Sequence, residues 1–78
     1  MHKVIMYTTP SCVYCKSAKA FFKDNNITFE EKDVSADVKA RDEMVKKSGM
    51  MAVPVIDVDG NVVIGFDKRK ISELLGVQ

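Results

Sequence analysis

The sequence predicts a small α/β domain with the element order βαβαββα. Within about thirty residues, an apolar run is followed by apolar residues at helical spacing and then by a second strand-like run. This order is typical of a right-handed βαβ unit with parallel strands. Farther along, two β-branched runs are joined by Asp59-Gly60. An Asp-Gly pair between such runs favours a β-hairpin with a type I′ turn.

The first half of the chain predicts a strand, a helix and a second strand. A short strand is predicted over residues 3–7, and the apolar run within it indicates burial on both faces. Pro10 ends this strand, and a helix over residues 13–24 follows, with asparagines at 25 and 26 as its stop. A second strand is predicted over residues 27–32. The helix should bury one stripe, formed by Tyr14, Ala18, Phe21 and Phe22.

The second half predicts a helix, the hairpin and a last helix. Ser35 and Asp37 are both good caps for the second helix, which runs to about residue 47 and is stopped by Gly49. The hairpin strands are expected over residues 53–58 and 61–64. Asp67 can cap the last helix, which Gly76 ends. The apolar stripe of the second helix is sparse: Val38, Ala40, Met44 and Val45.

Length and composition point to one soluble domain over residues 1–78. The hydrophobic fraction of 46% and the charged fraction of 29% are ordinary for a globular chain. The net charge of +1 gives no reason to expect a nucleic acid or an anionic membrane as partner. No apolar run approaches the roughly 20 residues that span a bilayer, and the N-terminus lacks the apolar stretch of a signal peptide. We therefore expect a cytoplasmic protein, in a compartment where thiols are kept reduced.

The chemistry of the chain is predicted at Cys12 and Cys15, which are separated by two residues at the start of the first helix. The unpaired N–H groups and the positive end of the helix dipole favour the thiolate form of a cysteine placed there. Residues three apart on a helix turn are close enough for a disulfide. One thiol can attack a disulfide and the other can close the ring, so the pair is predicted to be redox-active. A purely structural disulfide is disfavoured, because so short a loop gains only about 2 kcal/mol.

Two other function classes use the same cysteines differently. A metal site is incomplete in one chain, because zinc takes four ligands and this chain offers two thiols without a second pair. Only a dimer that shares a metal ion or an iron–sulfur cluster would complete it. His2 is a lone histidine that we expect to be solvated rather than metal-bound. A non-catalytic interaction module would tolerate replacement of both cysteines by serine.

The motifs taken together resemble the glutaredoxin branch of the thioredoxin superfamily over nearly the whole chain. Four features match in order: the strand before the motif, the cysteine pair at a helix start, Val53-Pro54 before a hairpin, and Gly65-Phe66 leading into the last helix. The resemblance implies a thioredoxin-like fold with a four-stranded mixed sheet, the first strand central and helices on both faces. It also implies a cis peptide bond before Pro54. In the family this proline faces the dithiol, and the preceding backbone pairs with extended substrate.

The resemblance also implies the roles at the site. Cys12 would be the nucleophile and Cys15 the resolving thiol of a disulfide reductase. No bound cofactor or metal is expected, although glutathione can serve as co-substrate. We expect a monomer that acts on protein or small-molecule disulfides. The substrate- or glutathione-binding positions are Thr9, Tyr14, Val53, Pro54, Gly65, Phe66 and Asp67.

Departures from the family pattern leave the electron donor open. Dithiol glutaredoxins carry a basic residue where this chain has Thr9, a proline where it has Val13, and Gly-Gly where it has Gly65-Phe66. The segment after Gly65 is closer to NrdH-redoxins, which resemble glutaredoxins but take electrons from thioredoxin reductase. The donor is therefore glutathione or thioredoxin reductase.

Three surface features have two interpretations each. Tyr14 either flanks the substrate or packs beside Ala18. Met50 and Met51 either line an adaptable substrate groove or fill the edge of the core. The cations at residues 68–70 either recruit an acidic partner or form a solvated face.

Overall fold

The computed structural model describes residues 3–76, which form four strands and three helices. His2 lies outside the described residues, as do both ends of the predicted domain. Within residues 3–76 no helix combines the length and the apolar character needed to cross a bilayer. In chain order the elements are β1 (Val4–Thr8), α1 (Val13–Asp24), β2 (Glu30–Asp33), α2 (Val38–Ser48), β3 (Val55–Val58), β4 (Asn61–Ile64) and α3 (Lys68–Leu75).

The four strands form one mixed sheet in the order β2-β1-β3-β4. β1 is parallel to β2 and antiparallel to β3, and β3 is antiparallel to β4. Tyr7 lies opposite Lys32 on one side and Val55 on the other, and Val55 lies opposite Ile64. The predicted α/β class, with β1 in the interior of a mixed sheet, is confirmed.

Both faces of β1 are covered, which explains why its sequence is continuously apolar. Because successive side chains of a strand point to opposite faces, Val4 and Met6 belong to one apolar cluster and Ile5 and Tyr7 to another. The first cluster is completed mainly by side chains of α1 and α3, and the second by side chains of α2.

All three helices begin at the end of the sheet where β1 ends. Cys12, Asp37 and Asp67 are their N-caps, and each side chain accepts a backbone N–H from the first turn of its own helix. The predicted caps at Asp37 and Asp67 are therefore confirmed. The cysteine pair and the N-termini of the three helices therefore lie at the same end of the sheet.

The hairpin between β3 and β4 turns at Asp59 and Gly60, as predicted. Their φ angles are 53° and 91°, and a type I′ turn requires positive φ at both central positions. The backbone N–H of Gly60 donates to Asp57 Oδ1 at 2.7 Å, which fastens the turn to β3.

The predicted second strand begins too early. β2 starts at Glu30, because the backbone N–H of Ile27 donates to the Phe22 carbonyl at 2.8 Å and so closes the end of α1. Ile27 and Phe29 still pack against the core, but they do so from the connecting loop. β3 likewise begins at Val55, two residues after the predicted start.

The stripes of buried side chains predicted for α1 and α2 are partly wrong. On α2 only Ala40 and Met44 are buried, whereas Val38 is 59% exposed and Val45 is 36% exposed. Ala40 and Met44 are four residues apart and form a single narrow line of contact with the sheet. On α1 Tyr14 is 68% exposed, so the interpretation as packing beside Ala18 is wrong; Cys15 occupies the buried position instead.

A charged network fastens α2 to the sheet. Tyr7 Oη donates a hydrogen bond to Glu43, and Lys32 Nζ lies 3.1 Å from the same carboxylate. Lys47 Nζ lies 2.8 Å from Asp57 Oδ2 and 5.3 Å from the centre of the Tyr7 ring.

The network changes the pKa values of the two α2 side chains. The pKa of Glu43 is lowered to about 2, first by the hydrogen bond from Tyr7 and then by the hydrogen bond from Lys32. Burial, the largest single effect, lowers the pKa of Lys47, but the hydrogen bonds and charges of Asp57 and Tyr7 together outweigh it and the pKa is raised.

The Glu43→Gln substitution should lower the free energy of unfolding by about 1 kcal/mol at neutral pH, because it removes charge-assisted hydrogen bonds whose strength solvent partly screens. The folded state lowers the pKa of Glu43, so the carboxylate stabilises the fold above its unfolded pKa of about 4.3 and loses this effect as the pH falls toward about 2. Denaturant unfolding of both proteins between about pH 7 and pH 3 measures the difference.

Glu73→Gln is the matched control, because Glu73 pairs with Arg69 at 3.7 Å on an open surface and should contribute nothing measurable. A difference between Glu43→Gln and the unsubstituted protein that stays constant over this pH range would contradict the assignment.

Candidate active site

The turn after β1 places the Cys12 sulfur at the tip of α1. The backbone of Cys12 is extended, with φ −80° and ψ 117°, and its N–H donates to the Thr9 carbonyl at 3.3 Å. The N–H of Cys15 donates to Cys12 Sγ at 3.2 Å, so the sulfur itself caps the helix. The sulfur is thereby held at the N-terminus of α1, next to the unpaired N–H groups of the first helical turn.

The second thiol lies one turn into the helix and is enclosed. Cys15 is 1% exposed, whereas Cys12 is half-buried. Burial raises the pKa of the Cys15 thiol, and hydrogen bonding with Cys12 raises it further. Hydrogen bonding with Thr8 acts in the opposite direction. At neutral pH the buried sulfur is therefore held mainly as the thiol.

The segment before β3 forms a second side of the site. The peptide bond between Val53 and Pro54 is cis, as the resemblance implied. Pro54 is buried, and its carbonyl accepts the N–H of Gly65 at 2.7 Å. This hydrogen bond brings the start of the Gly65-Phe66-Asp67 segment next to the proline.

A cleft of about 240 Å³ extends from the dithiol loop toward α2. Thr9 and Val53 line it together, which places these two predicted site residues on one surface. Met51 also lines it and is 66% exposed, while Met50 is 50% exposed. The interpretation of the two methionines as core filling is therefore wrong.

The far wall of the cleft was missed by sequence analysis. It includes Val34, Arg41 and Met44. No local pattern marks these residues as part of a site, because Arg41 and Met44 reach the cleft only through the packing of α2 on the sheet and Val34 lies in the turn between β2 and α2.

Comparison with known proteins decides the family. The sequence model described as Glutaredoxin matches residues 4–63. The chain belongs to the glutaredoxin family. It is 43% identical over 70 residues to an uncharacterized glutaredoxin-like 8.6 kDa protein in the rubredoxin operon of Clostridium pasteurianum, which spans 90% of this chain and 93% of that protein. It is 36% identical over 67 residues to glutaredoxin 3 of Escherichia coli strain K12, which spans 86% of this chain and 81% of that protein.

Solved structures agree with this assignment. The thioredoxin-like protein BC3987, in a mutant form, superposes with a TM-score of 0.93 at 36% identity over the full length of both chains. The glutaredoxin from Archaeoglobus fulgidus superposes with a TM-score of 0.86 at 28% identity, over 96% of this chain and 87% of that one. The thioredoxin-like fold is confirmed, and so is the resemblance to glutaredoxins, a family of thiol–disulfide oxidoreductases.

The remaining predicted site residues of this glutaredoxin differ in their exposure and in their contacts. Tyr14 points to solvent beside the dithiol turn, as a residue that flanks a substrate would. Phe66 packs on Phe21, with 5.8 Å between ring centres, and is half-buried. Asp67 caps α3 by accepting the N–H of Lys70 at 3.2 Å. Phe66 and Asp67 thus have structural roles, and their substrate contacts stay predictions.

The cations at residues 68–70 are exposed at the start of α3. Lys68 Nζ lies 5.7 Å from the centre of the Phe21 ring, and Arg69 pairs with Glu73. The helix starts at the dithiol end of the sheet, and recruitment of an acidic partner stays a prediction. Among residues 3–76 no group of three or more His, Cys, Asp or Glu side chains is arranged to hold a metal ion.

Limiting iodoacetamide at neutral pH should alkylate Cys12 of the reduced protein at least about tenfold faster than Cys15, because Cys15 is enclosed and its raised pKa disfavours the thiolate. Both cysteines fall in one tryptic peptide, so mass-spectrometric fragmentation must assign the site. In denaturant the two rates should converge. Equal labelling of the folded protein would contradict the asymmetry.

Proposed function

We propose that this glutaredoxin reduces protein or small-molecule disulfides, with Cys12 as nucleophile and Cys15 as resolving thiol. The observation that carries this proposal is the unequal setting of the two sulfurs: one is accessible and caps a helix, and the other is buried one turn away. A nucleophile must reach a foreign disulfide, whereas a resolving thiol needs to reach only its neighbour.

The reaction is two successive exchanges. The Cys12 thiolate attacks one sulfur of the substrate disulfide and forms a mixed disulfide, and the other substrate sulfur leaves as a thiolate that takes up a proton. Cys15 then gives up its proton and attacks Cys12 Sγ, which closes the Cys12–Cys15 disulfide and releases the second substrate sulfur. Two electrons pass from the protein to the substrate; of the two protons, Cys15 releases one and solvent supplies the other, because Cys12 begins as the thiolate.

The cis proline segment would hold the substrate. Val53 precedes β3, so an extended substrate can pair with its backbone and lengthen the sheet locally. Thr9 lines the cleft with Val53, and the N–H of Gly65 donates to the Pro54 carbonyl. We propose Val53, Pro54, Thr9 and Gly65, together with Tyr14, Phe66 and Asp67, as the substrate- or glutathione-binding set. The protein would act as a monomer without a bound cofactor, in the cytoplasm, where a dithiol can be kept reduced.

Replacing Cys15 by serine should stop the reaction at the mixed disulfide, because the second exchange then lacks its nucleophile. When either variant is mixed with a disulfide-linked substrate, Cys15→Ser should accumulate the adduct on non-reducing gels. Cys12→Ser is the matched control and should accumulate none. The reverse pattern would exchange the two roles, and equal function of both variants in the cell would favour a non-catalytic module.

Thioredoxin reductase should regenerate the dithiol several-fold faster than glutathione with glutathione reductase. Thr9 stands where dithiol glutaredoxins carry a basic residue, so one charge that would attract glutathione is absent from this position. NADPH consumption with each donor system separately measures the rates, and omission of the donor is the control. Faster regeneration by glutathione would reverse the assignment, and a brown dimer on isolation would favour the cluster carrier.

A further inference from the structure

We propose that the outer face of α2 binds a second copy of this chain, with the two α2 helices side by side and antiparallel. The outer face is the side of α2 that points away from the sheet, and Val38, Arg41, Asp42 and Val45 form it. This inference goes beyond the proposed function and does not depend on it, because the outer face carries neither cysteine.

The first argument is the apolar surface that α2 leaves uncovered. Val38 and Val45 are both exposed, whereas Ala40 and Met44 are buried against the sheet on the opposite side of the helix. The two valines lie seven residues apart, which is close to two helical turns, so they form one line along the helix. Another helix can pack along such a line.

The second argument is that the outer face is complementary to itself. Val38 lies three residues before Arg41, and Val45 lies three residues after Asp42. When two copies of α2 run antiparallel about a two-fold axis between Arg41 and Asp42, Val38 of each helix is level with Val45 of the other. Arg41 of each helix is likewise level with Asp42 of the other. A two-fold dimer requires this match, because every contact in it occurs twice.

The third argument is the charge at the centre of the outer face. Within residues 3–76 no oppositely charged side chain lies within ion-pair distance of Arg41 or of Asp42. The antiparallel pair would gather two arginines and two aspartates around the axis, so that each arginine can bind an aspartate of the other copy. This direction also sets the positive N-terminus of each helix beside the negative C-terminus of the other.

The outer face borders a groove of about 500 Å³, whose lining is Arg41, Asp42, Val45, Lys46 and Met51. The groove leaves room for side chains of the second copy. Arg41 and Met51 also line the cleft beside the dithiol, so the second copy would cover one edge of that cleft. One helix face is small beside the roughly 800 Å² that each partner buries in a stable complex, so the dimer should be in exchange with the monomer.

The first experiment measures the mass of the protein by sedimentation between about 10 µM and about 1 mM, the range of weak reversible association. Excess reductant is present, so that no disulfide links two copies. The average mass should rise from that of one chain toward that of two. Over the same range the backbone amide NMR signals of residues 38–45 should shift. Those of α1, which packs on the other face of the sheet, should not.

Two charge reversals test the pairing. Arg41→Glu sets four carboxylates around the axis and Asp42→Arg sets four guanidinium groups there, so each variant alone should dimerise at least about tenfold more weakly. An equimolar mixture of the two variants should regain the affinity of the unsubstituted protein, because every charge again meets an opposite one. Lys23→Glu, at an exposed position of α1, is the matched control and should leave dimerisation unchanged.

Cross-linking tests the direction of the helices, in a background of Cys12→Ser and Cys15→Ser. One copy carries Val38→Cys and the other carries Val45→Cys. Under oxidation by air, the mixture should form a disulfide-linked dimer several-fold faster than either variant alone, because antiparallel helices set position 38 level with position 45. Faster linking of each variant with itself would show parallel helices and overturn the arrangement.

The remaining failures are distinguishable. A protein that stays monomeric at about 1 mM overturns the proposal, and the outer face then fits a different partner or solvent. A dimer that both charge reversals leave unchanged is formed elsewhere, which overturns the proposal as well. Where circular dichroism shows that a single variant does not fold, the double variant Arg41→Glu/Asp42→Arg takes its place and should dimerise as the unsubstituted protein does. No result here depends on disulfide reduction, so the proposed function is tested separately.

Discussion

The hydrogen bond from the Cys15 N–H to Cys12 Sγ is the contact on which the chemistry that we propose for this glutaredoxin depends. A helix N-terminus needs a side-chain acceptor, and here the acceptor is the sulfur that we propose as nucleophile. The same helical turn therefore fixes the sulfur in place and leaves it partly exposed. It also sets Cys15 beneath the surface, where burial raises the pKa of its thiol. The unequal chemistry of two identical residues follows from the position at which the helix begins.

The topology determines what surrounds that sulfur. β1 is an interior strand that is covered on both faces, so the loop that follows it is anchored by the most enclosed part of the sheet. All three helix N-termini and the segment before β3 lie at the same end. The ligand-binding elements of α/β folds gather in this way where strands end and helices begin, because N–H donors and helix dipoles converge there. Thr9, Val53 and Gly65 come from three separate segments and meet for this reason.

Local signals in the sequence were enough for most of the fold, and contacts distant in sequence decide the rest. The bounds of α1, the caps Asp37 and Asp67 and the Asp59-Gly60 turn depend on residues next to one another, and they were predicted correctly. Val38, Val45 and Tyr14 were assigned to buried stripes that they do not join, since helix periodicity does not say how wide a stripe the neighbouring sheet covers. The dithiol and Val53-Pro54 could be identified as motifs. Arg41 could not, because its relation to Val53 exists only once α2 has packed across the sheet.

That packing links the charged network under α2 to the cleft beside the dithiol. α2 contributes few buried apolar side chains, chiefly Ala40 and Met44, so apolar burial alone holds it weakly. Tyr7, Lys32 and Asp57 of the sheet bind Glu43 and Lys47 of the helix and fix its position. Arg41 and Met44 lie on the same helix within three residues of Glu43, so the network that positions the helix also positions the cleft wall. Tyr7 lies on β1 two residues before Thr9. β1 therefore connects the charged network to the dithiol loop. The loop that carries Cys12 and the helix that forms the far wall of the cleft are therefore both connected to β1.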